Sequence, residues 1–403
     1  MREGESEMSV YMLAAVPMMF SLAAGDERSH VGNLYPFLRS YAEASPCSLS
    51  YLSRPWPDTE AWRAQGRAKM LELLSYSPEP VAPSEEVIET VHKQGYTRLR
   101  VRFLVTKDRS TEAFLLIPDG LTGPAPAVIA IHDHGGFYYF GKEKITETED
   151  APGILLKHIE TAYGGRAFAD ELARRGYVVL VPDGFYFGSQ RLDPGQLPEK
   201  FTAELQKHPQ GSDAYIAAFN EMANRHEAIV AKTIFDSGAT WPGILFQGDR
   251  ASVDYLLSRP EVDGNRIGCV GLSIGGFRSA HLLGLDPRIA CGVVAGWMTT
   301  YRSLLFDHLE WHTWMIYVPR QLAFLDLPDV ASLNAPRPLM VINCNKDILF
   351  TLQGMGDAEH KLAEVYEKMG ARDHFLCKYY DEPHSFKVPA QDDAIAWLDR
   401  WLK

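Results

Sequence analysis

Apolar positions along the chain follow two regimes. From Leu34 to about Pro80, helix-like stretches are punctuated by Pro46, Pro55, Pro57, Pro78 and Pro80. No catalytic signature accompanies them, so residues 1–95 read as an N-terminal helical extension. From Arg98 onward the pattern changes to short β-branched or aliphatic runs at 99–105, 113–117, 127–131, 177–181, 267–271, 289–294, 339–343 and 374–380. Each has the length and composition of a strand, and eight are predicted. Between them lie amphipathic stretches. Phe168 and Leu172 share a face that ends at Gly176, and Val253, Leu256 and Leu257 share another before Asp263 and Gly264. Leu362, Val365 and Met369 repeat the pattern up to Gly370, and Ala394, Trp397, Leu398 and Trp401 form the inner face of a last helix. Strands alternating with helices predict an α/β domain over 96–403, its mostly parallel eight-stranded sheet flanked by helices. Two connections, near 185–240 and 297–336, are longer than a crossover needs and read as lid-like insertions.

Composition narrows the function classes. With 403 residues, 46% of them hydrophobic, the chain can bury a large core, and a formal net charge of -12 argues against a nucleic acid partner. Five scattered cysteines suit neither a disulfide framework nor a paired-cysteine zinc site. Residues 10–22 are apolar and end in small residues, as a secretory signal does, but Glu3, Glu5 and Glu7 outnumber Arg2 in front of them and Pro17 interrupts them. The stretch is too short to span a bilayer, so no membrane partner is expected. The chain reads as cytoplasmic, with export as the alternative.

The chemistry centres on Gly271-Leu272-Ser273-Ile274-Gly275-Gly276, between a predicted strand and a predicted helix. A serine at such a turn is exposed on a strained backbone, and the glycines allow strand and helix to approach closely. The partner acid should follow a later strand. Asp347 does so after the run ending at Asn343, with Asp381 as a rival. His384 follows the last strand, completing the chain order nucleophile, acid, base. An oxyanion site needs two backbone N–H groups: Ile274 supplies one, and the glycine-rich turn His132-Asp133-His134-Gly135-Gly136 supplies the other, with Gly136 favoured. His132 and His134 alternate along that turn and raise the alternative of a metal pair, but the pattern breaks at Gly136 and Phe137, so no metal is assigned. His134, Phe137, Trp297 and Trp311 are the candidate substrate contacts, lid packing being the other reading of the aromatics. No dinucleotide or phosphate-loop fingerprint stands in a strand-to-helix setting, so no cofactor is expected.

Taken with Gly141-Lys142-Glu143-Lys144, Val181-Pro182-Asp183, Thr240-Trp241-Pro242-Gly243, Arg259-Pro260-Glu261-Val262-Asp263, Trp297-Met298-Thr299-Thr300-Tyr301 and Pro383-His384-Ser385-Phe386, these motifs resemble the dienelactone hydrolase and acetyl-xylan-esterase-like branch of the α/β-hydrolases. The catalytic domain of prolyl oligopeptidases is similar. The resemblance runs from about Arg98 to the C-terminus. It implies an α/β-hydrolase fold and a serine esterase acting through an acyl-enzyme on a small or acetylated, carbohydrate-like ester. True dienelactone hydrolases carry a cysteine where Ser273 stands, which favours general ester hydrolysis. A dienelactone-type lactonase, a serine peptidase and a catalytically silent ligand-binding protein are the alternatives; the first ninety or so residues are too few for a peptidase propeller.

Overall fold

Strand formation follows the apolar runs, with one addition. In the computed structural model, which describes residues 29–403, nine strands form one sheet in the order β1-β2-β3-β5-β4-β6-β7-β8-β9. They are β1 Glu86–Lys93, β2 Tyr96–Thr106, β3 Arg109–Pro118, β4 Ala125–Ile131, β5 Val178–Pro182, β6 Val262–Leu272, β7 Ile289–Ala295, β8 Leu339–Cys344 and β9 Phe375–Tyr380. The first three are antiparallel and β3 pairs antiparallel with β5, whereas β4 to β9 and the β4–β5 pair are parallel.

The strand missing from the sequence reading is β1, so the segment read as purely helical up to residue 95 ends in sheet. Its residues are mostly exposed and polar, as an edge strand's can be. The extension's helix Thr59–Leu74 begins at an Asp58 cap and buries Trp62, Met70 and Leu74 in the domain core. Arg67 reaches the carbonyl of Gly284 at 2.9 Å, and the Thr240 hydroxyl donates to the Leu74 carbonyl at 2.6 Å. The segment is thus built into the domain.

Period-two alternation distributes the strands between two cores. Ala127, Ile129 and Ile131 face one, with Val178, Leu180 and Cys269, while Val128, Ala130, Val179, Val181 and Val270 face the other. Burial on both faces explains why these strands read as continuous apolar runs. The five cysteines are free thiols, four of them buried. The apolar stretch at 10–22 lies outside the described residues, among which no helix is long and apolar enough to cross a membrane.

Candidate active site

Strand β6 passes directly into the helix Ile274–Leu285 through Ser273, whose φ of 60° and ψ of -121° lie in a region that L-residues rarely occupy. The turn is as tight as its glycines suggest. A Cβ on Gly271 would stand 2.5 Å from the Gly275 carbonyl and 2.7 Å from the Ile131 carbonyl, and one on Gly276 would stand 2.6 Å from the Ala295 carbonyl. Ser273 is half-buried and opens into a cavity of about 640 Å³ over the C-terminal ends of the parallel strands, where α/β sheets hold their ligands.

His384 lines the same cavity. Its Nδ1 lies 2.5 Å from Oδ2 of Asp347, whose Oδ1 accepts from the Leu349 N–H at 2.9 Å. An ionised carboxylate can only accept, so Nδ1 carries the proton and Nε2 presents a lone pair. That Nε2 is buried without a partner among the described residues. The rival acid is elsewhere: Asp381 is exposed and bonds Lys346 at 2.8 Å.

The turn after β4 corrects one expectation. The Gly136 N–H is not free, because it donates to Nδ1 of His134 at 3.0 Å. Those of His134 and Gly135 have no partner among the described residues. Lys144 orients them. Fully buried, with burial pulling its ammonium down to about 8, it donates to the carbonyls of Asp133 at 2.7 Å and His134 at 3.1 Å. In a trans peptide N–H and C=O point in opposite directions. Holding those two carbonyls towards Lys144 therefore turns the N–H groups of His134 and Gly135, two residues that line the cavity, away from Lys144. Ile274, first in its helix, has no intrahelical acceptor for its own N–H.

Residues 147–402 match the dienelactone hydrolase family, and residues 52–191 match an Abhydrolase family. The chain belongs to the dienelactone hydrolase family. Membership makes it an enzyme, a hydrolase on the α/β-hydrolase fold, and sets aside the silent binding protein. YtaP of Bacillus subtilis (strain 168), provisionally named a hydrolase, is 25% identical over 84% of this chain and all of its own length. Among solved structures, a provisionally named acetyl xylan esterase from Bacteroides fragilis NCTC 9343 superposes with a TM-score of 0.65 at 17% identity, covering 87% of this chain and 84% of its own. A glucuronoyl esterase from Solibacter usitatus gives 0.57 at 16% identity, covering 88% and 97%.

In this dienelactone hydrolase family member both insertions reach the cavity wall. The helix Asp213–Asp236 brings Asn224 and Glu227, and the segment after β7 brings Trp297, Trp311 and Trp314. Of the candidate substrate contacts, His134, Trp297 and Trp311 line the cavity. Phe137 does not; its ring stacks behind the wall on His158, centroids 4.9 Å apart. Neither ring of the suspected metal pair is open to a ligand. His132 is held between the Asp133 carbonyl and the Gly184 N–H, and burial drives it down to about 3. No group of three or more His, Cys, Asp or Glu side chains with metal-holding geometry occurs among the described residues.

Glu227 escaped the sequence reading altogether. Only 3% exposed, it accepts from His134 Nε2 at 2.8 Å, the Tyr138 hydroxyl at 2.7 Å, the Thr313 hydroxyl at 2.8 Å and the Trp314 N–H at 3.0 Å. Burial alone would raise its carboxyl, but His134, Tyr138 and Thr313 hold it below its ordinary value. One carboxylate thus ties the turn after β4 to both insertions. Glu227→Ala removes the acceptor from four donors and is expected to lower stability by on the order of 3 kcal/mol in denaturant unfolding. Glu227→Gln keeps one acceptor oxygen and should lose less.

Proposed function

We propose that the protein is a serine carboxylic-ester hydrolase working through an acyl-enzyme. The observation that carries the reading is the shared cavity. Ser273 stands on a strained elbow at a helix N-terminus, and His384 offers it an unpartnered Nε2 while Asp347 fixes Nδ1. His384 takes the proton as the Ser273 oxygen attacks the ester carbonyl, and the Asp347 carboxylate stabilises the imidazolium that forms. The carbonyl oxygen becomes an alkoxide within reach of the Ile274 N–H and those of His134 and Gly135, which replace Gly136 in this role. The proton passes from His384 to the leaving alcohol. Water, deprotonated by the same imidazole, then releases the acid from Ser273.

A small or acetylated, carbohydrate-like ester is the substrate class that fits best. The names of the acetyl xylan and glucuronoyl esterases sharing the fold support it, as do exposed tryptophans at the cavity mouth. The reading is tested by incubation with a fluorophosphonate followed by peptide mass mapping. Stoichiometric phosphonylation of Ser273, with parallel loss of activity on short-chain esters that chelators leave untouched, is the expected result. Labelling of another residue, or activity that chelation abolishes and zinc restores, overturns it.

A further inference from the structure

Besides His384–Asp347 and His134–Glu227, the cavity wall holds a third imidazole–carboxylate pair, which hydrolysis leaves unused. His158, on the helix Gly153–Tyr163, donates from Nε2 to the buried Asp133 at 3.1 Å. Asp133 also accepts from the Tyr163 hydroxyl at 2.8 Å. Burial would raise its carboxyl, yet His158, Lys144 and Tyr163 hold it well below the usual carboxylate range. An ionised carboxylate thus clamps one edge of the His158 ring, while Phe137 stacks on a face at an interplanar angle of 11°. The other ring nitrogen, Nδ1, has no partner among the described residues, and His158 lines the cavity with 14% of its side chain exposed. Beside that edge the wall is Gly135. A Cβ there would stand 2.5 Å from His158 Cε1 and 3.4 Å from Nδ1, so glycine at 135 keeps the ring edge uncovered.

The lining says what the ring faces. It contains no Lys or Arg but three carboxylates, Asp133, Glu227 and Glu310, so an anionic group would be repelled. Trp311 and Trp314, 54% and 40% exposed, add apolar ring surface. Building on the ester-hydrolase reading, we propose that His158 binds an uncharged hydroxyl group of the substrate through Nδ1, while Trp311 and Trp314 receive the adjoining C–H face. A hydroxyl suits either state of the ring, donating to a neutral Nδ1 or accepting from a protonated one.

The test compares kcat/KM for 2,3-dihydroxypropyl acetate with that for propyl acetate. The wild type should prefer the hydroxylated ester, and His158→Phe, which keeps an aromatic ring for Phe137 to stack on, should reduce the preference about tenfold, the size of one hydrogen bond. His158→Gln, whose amide bonds hydroxyls, should retain part of it. A ratio unchanged in His158→Phe overturns the proposal, as does a His158-dependent preference for 2-(trimethylammonio)ethyl acetate over both esters. A second readout needs no turnover. Glycerol titrated into protein labelled with ¹⁵N-histidine should shift the His158 ring resonances, assigned by their loss in His158→Phe, and absence of a shift counts against the site. Should no ester be hydrolysed, the hydrolytic reading fails, while this one still stands or falls on the titration.

Discussion

Ser273→Ala is expected to lower the turnover of a good ester by about 10⁶-fold, the scale on which loss of the nucleophile disables a triad that works as a unit. The fold should survive. The hydroxyl makes no hydrogen bond among the described residues, and the side chain is half-exposed, so its removal leaves neither an orphaned polar group nor a cavity. Alanine carries the same Cβ as serine, so the strain of the φ of 60° at this position is unchanged. A residual rate of roughly 10³–10⁴ above water is expected from the backbone donors and substrate binding alone. The check is a single-turnover assay with circular dichroism of the same samples. A folded variant with near-normal rates would place the chemistry on another residue.

The sheet's eight inner and later strands were legible because burial on one or both faces writes itself as an apolar run. The edge strand β1 was not, since Glu86, Glu89 and Thr90 are exposed and carry no such signal. Ser273, Asp347 and His384 were legible for a related reason. Each sits at or just beyond the C-terminal end of a strand, so finding the strand finds the residue. Glu227 lies inside a 24-residue helix whose sequence also carries Asp213, Glu221 and Asp236, and nothing in that pattern singles out the carboxylate that turns inward. Its only signal is neighbourhood: most helix residues facing the same way, such as Ala223 and Ala231, are apolar, and a buried acid among them needs partners. The Gly136 error has another origin. Glycine content locates the turn, but which N–H is free depends on the His134 ring and on Lys144, contacts that no linear pattern encodes.

Two carboxylates compete in the sequence as the partner of His384, and the structure pairs its imidazole with the favoured one, Asp347. Asp347→Asn should leave the protein folded and substrate affinity near normal, yet cut the rate constant for turnover by about 10⁴-fold. The direction follows from one backbone bond. Oδ1 of Asp347 accepts from the Leu349 N–H, so the carbonyl oxygen of an asparagine would take that place and its NH₂ group would face His384. A donor opposite Nδ1 forces that nitrogen to accept, which moves the imidazole proton to Nε2. An Nε2 that already carries a proton cannot take one from Ser273. Asp381→Asn should change the rate less than about threefold, since it loses only an exposed ion pair with Lys346. The two variants are to be compared at neutral pH, with kcat and KM resolved separately and a thermal melt on each. A severe defect in Asp381→Asn beside a mild one in Asp347→Asn would reverse the assignment, and equal mild defects would show that His384 is oriented by something other than either carboxylate.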